Sequence, residues 1–322
     1  MNKITIIGTG VYALSMAYAL SQNKENEITM WTESDKSLAF INENKNAYPL
    51  LNNIKIPDTI KFTTSYEEAI KDTNNIFIMV SSLYFVSVVN NIKPYLKDNM
   101  NIIIGTKGLD HDTSKFLFED FKDIYNTNNL GVISGGSIAQ DIVTNELIGI
   151  TLASKNINLC KNIINLYKNT NIKINCTNDL ISTSILGSIK AIYALGAGLF
   201  ASHYQSPSAK CFYFTEISKE ISHLLEDLGG NKYNLIDFAG LGDLEVTTST
   251  ITSRNYKLGY LIGSESNEVE EFKKNNTIEG LHLLLDYKRL LDSKNLHYKI
   301  IDSIYDIIIN NNDINTLIDA LK

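Results

Sequence analysis

Along the first half of the chain, short apolar runs rich in β-branched residues alternate with stretches whose apolar positions recur at helical spacing. "ITIIG", "EITMW", "NIFIMVS", "NIIIGTK", "LGVISG" and "IGITLAS" have the length of strands. Between them, "VYALSMAYALSQ", "SYEEAIKDT", "LYFVSVVNNIKPYL", "KFLFEDFKDIY" and "IAQDIV" carry the helical period. Strands alternating with helices predict a parallel sheet covered on both faces. The alternation stops after "IKINCTND", residues 172–179, and from about residue 180 the apolar positions are helical in "LISTSILGSIKAIYALGAGLF", "FYFTEISKEISHLLEDLG", "EGLHLLLDYKRLLDSKN" and "YKIIDSIYDIIIN". The shift predicts an α/β domain over residues 1–178 and an all-α domain over 179–322.

Composition narrows the function classes. With 322 residues, 44% of them hydrophobic and 20% charged, the chain reads as a soluble globular protein long enough for two domains. A net charge of −7 argues against a nucleic-acid surface. The longest apolar run, "ILGSIKAIYALGAGLFA", carries Lys190 near its middle, so no membrane span is expected. Three cysteines (Cys160, Cys176, Cys211) form neither a metal spacing nor a disulfide framework, which fits the reducing cytoplasm and no bound metal. The five histidines are scattered, none at a catalytic spacing, and Arg254 and Arg289 are the only arginines.

The opening stretch "KITIIGTGVYALSMAYALS", residues 3–21, has two readings. A lysine, an apolar run and a small-residue ending suit a secretory signal, yet Gly8, Thr9 and Gly10 interrupt the apolar region such a signal needs. The alternative is a strand, a G-x-G-x-x-A turn (Gly8, Gly10, Ala13, with Val11 and Tyr12 between) and a helix that holds a dinucleotide. There the first glycine permits the tight turn, the second admits the pyrophosphate, and the helix N-terminus attracts its charge. Glu33, just past the next strand, stands about where an acidic residue meets the adenosine ribose, with Asp35 as the fallback. A carboxylate there accepts from a 2′-hydroxyl and repels a 2′-phosphate, and Lys36 is the only cation nearby. NAD is therefore the expected cofactor, with NADP left open.

Three further stretches carry candidate chemistry. Lys190 is the one charge in a long apolar helix and shares a face with Gly187 and Ala194; it is either a proton donor and acceptor or a core lysine reaching for water. Lys107, in "GTKGL", follows a strand at the carboxyl edge where open α/β sheets bind ligands, or is a solvated loop lysine. "AGLGDLEVTTSTITSRN" holds Asp243 between glycines, then Ser253, Arg254 and Asn255. An arginine fork beside an amide and a hydroxyl suits a phosphate or carboxylate. Asp243 could hold a substrate hydroxyl, orient Lys190, or merely cap a turn.

In order, "IIGTGVYA", "WTE", "GTKGL", "ISGGSIA", "IKAIYALGAGL", "AGLGDLEVTT", "SRN" and "IEG" resemble the bacterial type of NAD(P)-dependent glycerol-3-phosphate dehydrogenase over nearly the whole chain. The resemblance implies a Rossmann-like domain followed by an all-helical one, with cofactor and substrate meeting in the cleft between them. It implies reduction of dihydroxyacetone phosphate to sn-glycerol 3-phosphate for phospholipid synthesis. Carried over position by position, Lys190 matches the proton donor and acceptor, and Lys107 a lysine contacting substrate and cofactor. Gly135, Ser137, Asp243, Ser253, Arg254 and Asn255 match substrate-contacting positions. Ala139, Arg254, Thr277 and Glu279 fall in the family's cofactor-contacting set. The family's Val-Lys-Asn reads Ile189-Lys190-Ala191 here, Ser-Gly-Pro reads Ser134-Gly135-Gly136, and Asn-Ala-Arg reads Ser208-Ala209-Lys210. Those departures keep two alternatives open: a dehydrogenase of the same fold for another small phosphorylated or carboxylated carbonyl, and a catalytically weak NAD(H)-binding sensor. The substrate is a small molecule, and a homodimer is left open.

Overall fold

The apolar runs of the first half form one eight-stranded sheet in the computed structural model of the chain, which describes residues 1–322. Its elements run β1 (Asn2–Ile7), α1 (Val11–Ser21), β2 (Asn26–Trp31), α2 (Asp35–Asn44), β3 (Ile60–Thr63), α3 (Tyr66–Ile70), β4 (Asn75–Ile78) and α4 (Ser82–Ile92). They continue through β5 (Asn101–Ile104), α5 (Leu117–Ile124), β6 (Leu130–Ser134), α6 (Ala139–Val143), β7 (Ile148–Ala153), α7 (Ile157–Leu166) and β8 (Ile172–Thr177). The strand order is β3-β2-β1-β4-β5-β6-β7-β8. Ile6 of the central strand β1 pairs with Met30 of β2 on one side and Phe77 of β4 on the other, all three fully buried. That burial on both faces is why these strands read as continuous apolar runs.

Two details depart from the alternation expected of the sequence. β3 is a four-residue edge strand, "IKFT", whose middle residues Lys61 and Phe62 are exposed and half-buried, so it lacks the apolar run of its neighbours. β6 and β7 pair antiparallel, whereas every other neighbouring pair is parallel. The connection between them contains only the five-residue α6, too little helix for the usual parallel crossover.

Contacts divide the chain into Met1–Lys107 with Leu117–Leu180, and Gly108–Phe116 with Ile181–Lys322. The second unit consists of α8 (Leu180–Ala201), α9 (Pro207–Asp227), α10 (Asp243–Thr248), α11 (Arg254–Gly263), α12 (Val269–Asn275), α13 (Glu279–Ser293), α14 (Lys299–Asn310) and α15 (Asn315–Leu321), besides the excursion 108–116. α8 has the length and composition to cross a membrane, but 89% of its apolar window is buried inside the protein, as the core helix of this unit. A Cβ on Gly198 would lie 2.0 Å from the Tyr256 carbonyl oxygen, and one on Gly259 would lie 1.9 Å from that of Leu195. The backbones of α8 and α11 therefore cross in direct contact, which only glycine permits.

The excursion closes on itself through an antiparallel bridge between Leu109 and Phe116, both buried. His111 Nδ1 lies 2.9 Å from Asp286 Oδ1 on α13, and Arg289 donates to the same oxygen. Asp286 is buried, while the two groups that meet it, their nitrogens 3.2 Å apart, remain half in solvent. No change in composition marks residues 108–116, and the sequence placed them in the α/β half.

Candidate active site

In the first unit the strand order reverses between β1 and β4, the place where open α/β sheets leave a crevice beyond the strand ends. A cavity of about 920 Å³ opens there, lined among others by Gly8, Gly10, Trp31, Glu33 and Ser81. Gly8 ends β1 at φ +116°, and a Cβ there would stand 2.4 Å from the Met79 carbonyl oxygen, so the turn requires glycine. Gly10 precedes α1 with no side chain capping the helix, and nothing lies within 4 Å of where its Cβ would be. First-turn N–H groups and open space together suit a diphosphate. Val11 and Tyr12 open the helix half-buried, while Ala13 is buried beneath. The stretch 3–21 is thus the middle of a sheet and its covering helix.

Glu33 lines this cavity two residues past β2, and both its oxygens accept hydrogen bonds. Ser37 Oγ donates to Oε1 at 2.6 Å and Thr32 Oγ1 to Oε2 at 3.2 Å. The Ser37 hydrogen bond, chief among its influences, holds the carboxyl below the usual carboxylate range. Asp35 is turned elsewhere: it starts α2 and accepts from Thr64 Oγ1 at 3.4 Å. Trp31 and Tyr66, stacked at 4.2 Å with planes 14° apart, make an aromatic wall of the same cavity that the sequence had not indicated. A 2′-hydroxyl ribose, a planar base and a diphosphate all find fitting chemistry here.

A second group of sequence-predicted residues converges beside α1. Lys107, past the end of β5, holds its Nζ 6.0 Å from the ring centre of Tyr12. Ser137 Oγ donates to the Gly135 carbonyl at 3.1 Å and lies 3.3 Å from Tyr12 Oη. Gly135 runs against the next strand so closely that a Cβ would lie 2.5 Å from the Gly149 oxygen. Ala139 begins α6 and packs half-buried against the core.

In the second unit Lys190, on the third turn of α8, donates to Asp243 Oδ1 in a close ion pair. The side chains are 15% and 2% exposed, so water screens their attraction little. Asp243 reaches this position from the first turn of α10, after the kinked turn Phe238–Gly242. At Gly240 in that turn a Cβ would lie 2.0 Å from the Leu235 oxygen. The "AGLGDL" motif is therefore a tightly folded backbone that delivers one carboxylate to one lysine. The ion pair is what the orienting option among the three requires.

The remaining candidates cluster at helix starts. Ser253 caps α11, accepting from the Tyr256 N–H at 3.3 Å, and Arg254 follows it, exposed. Asn255 Oδ1 accepts from the Gly280 N–H at 2.9 Å, which commits its carbonyl to joining α11 to α13. Thr277 and Glu279 are exposed at the start of α13.

Comparison with known proteins identifies the family. The family model for the N-terminus of NAD-dependent glycerol-3-phosphate dehydrogenase matches residues 3–160, and that for its C-terminus matches residues 179–319. The chain is 30% identical to the glycerol-3-phosphate dehydrogenase [NAD(P)+] of Wigglesworthia glossinidia brevipalpis, over 95% of this chain and 93% of that one. It is 30% identical to the enzyme of the same name from Orientia tsutsugamushi, over 99% and 97%. The crystal structure of glycerol-3-phosphate dehydrogenase from Coxiella burnetii superposes with a TM-score of 0.90 at 25% identity, over 99% of this chain and 98% of that one.

Proposed function

The chain belongs to the NAD-dependent glycerol-3-phosphate dehydrogenase family, and from that premise we propose that it reduces dihydroxyacetone phosphate to sn-glycerol 3-phosphate with NAD(P)H. The observation that carries the reading is the shielded Lys190–Asp243 pair, a proton donor placed where an apolar helix has no structural need of one. When bound, the reduced nicotinamide supplies the hydride. As the carbonyl oxygen gains negative charge, Lys190 Nζ hands it a proton, and in the oxidative direction takes the proton back. Asp243 holds the lysine in place through their ion pair. Lys107, Ser137, Arg254 and the free amide of Asn255 are assigned to the substrate's oxygens, where cations and donors orient it and stabilise the developing charge. Gly8, Gly10 and Glu33 are assigned to the cofactor, with NAD(H) preferred because the ionised Glu33 repels a 2′-phosphate. Three free cysteines support a reducing, cytoplasmic setting, where the product feeds phospholipid synthesis.

The test is the loss of absorbance at 340 nm when dihydroxyacetone phosphate is added to protein with NADH or NADPH. NADH is expected to be consumed, and faster than NADPH. Binding of NADH without consumption would overturn the assignment.

A further inference from the structure

Glu33 is exposed, and an exposed carboxylate alone samples several rotamers. Here it ends two converging chains of hydroxyls. On one side Ser34 Oγ accepts from the Ser37 N–H at 3.2 Å and donates to Ser37 Oγ at 3.1 Å, and Ser37 Oγ donates to Glu33 Oε1. On the other side, Thr9 Oγ1 and Thr32 Oγ1 are 2.9 Å apart, and Thr32 donates its single hydroxyl proton to Glu33 Oε2. Thr9, which lies between Gly8 and Gly10 in the turn, must then be the donor to Thr32. Each carboxylate oxygen keeps a lone pair for a further donor. All five residues belong to the first unit, and Thr9, Glu33, Ser34 and Ser37 line its cavity.

We propose that Ser37 and Thr32 are positioning residues for cofactor choice: they fix the Glu33 carboxylate in the orientation that accepts from a ribose 2′-hydroxyl and opposes a 2′-phosphate. This rests on the reading of Glu33 given above. The hydroxyl chains point every proton toward the carboxylate, so the same array also commits the Thr9 hydroxyl to the protein. Losing the Ser37 hydroxyl leaves the α2 cap intact, because the bond at that cap is made by the Ser37 main chain. Ser37→Ala therefore removes the positioning contact and little else.

The experiment measures NADH and NADPH dissociation constants of the full-length protein by nucleotide fluorescence, without substrate. Wild type, Ser37→Ala, Ser37→Thr, Thr32→Val and Glu33→Gln are compared. The preference for NADH is expected to fall about fivefold in Ser37→Ala, the worth of one modest hydrogen bond to a charged group, and less in Thr32→Val. Ser37→Thr should keep most of it. A preference that collapses in Glu33→Gln yet is unchanged in both Ser37→Ala and Thr32→Val overturns the positioning role and leaves the Glu33 reading standing. A preference unmoved by Glu33→Gln overturns the Glu33 reading and the positioning role with it. An equal fall in Ser37→Ala and Ser37→Thr also overturns the proposal, since the hydroxyl would then not be what matters.

Discussion

The glycine turn of the first unit and the Lys190 pair of the second are built in opposite ways. The turn draws its parts from neighbours in sequence: Gly8, Thr9 and Gly10 are consecutive, and Thr32, Glu33, Ser34 and Ser37 follow one strand later. Its geometry comes mainly from backbone conformation and from short side chains bonding to adjacent residues. The Lys190 pair joins residues from two helices and depends on how those helices pack. A local construction tolerates change at a distance; a packed one transmits it. The two units should therefore respond differently to substitution.

The largest effect is expected where chemistry and packing coincide. Lys190→Met should lower turnover on the order of a thousandfold, the worth of a positioned acid–base group. NADH binding, measured by fluorescence, should stay within about threefold, since the turn is built without Lys190; retained turnover would break the contrast. Asp243→Asn keeps the shape but removes the charge that holds the lysine, and should cost roughly a hundredfold in turnover. Next comes the helix crossing. Gly259→Ala places a methyl on the Leu195 carbonyl, and should destabilise the protein by about 3 kcal/mol, read as the shift of a denaturant midpoint. An unchanged midpoint would mean that α11 can move away from α8 at little cost.

The smallest effect separates two carboxylates. Glu33 is held below the ordinary range by Ser37. Glu220, half-buried on α9, is pushed above it chiefly by burial, although it accepts from the N–H groups of Ile300 and Ile301 and from Tyr193 Oη. A carboxyl raised in the folded state gives stability that is complete below the unfolded value and is lost as pH rises through the folded value. The contribution of Glu220 to stability should therefore decline as pH rises from the ordinary carboxylate range through its raised folded value. Glu220→Gln should flatten that decline in midpoints measured across the range, and a parallel curve would assign the slope to other groups.

Legibility follows the same division. The sheet and its crevice could be read because strands buried on both faces leave continuous apolar runs, and a dinucleotide turn leaves glycines at fixed offsets. β3 escaped because an edge strand buries too little. The pairing of Lys190 with Asp243 appeared only as one option, since sequence does not record which helix faces which. Ser37 and Thr32 gave no signal: a serine in the first turn of a helix already has a reason to be there. The His111–Asp286–Arg289 group was likewise invisible, although Arg289 was conspicuous as one of two arginines. Its partners lie in a loop and a helix far apart in the chain.

That group has a consequence for how the gene can be divided. The chain leaves the first unit after Lys107, returns at Leu117, and leaves again after Leu180. A single recombination joint near residue 180 would give one parent's His111 to the other parent's Asp286 and Arg289. A chimaera made there exchanges eight strands cleanly yet mismatches a charge cluster, so its repair lies at residues 108–116 rather than at the joint. The two halves look separable on a map of domains, but they are inherited as a unit.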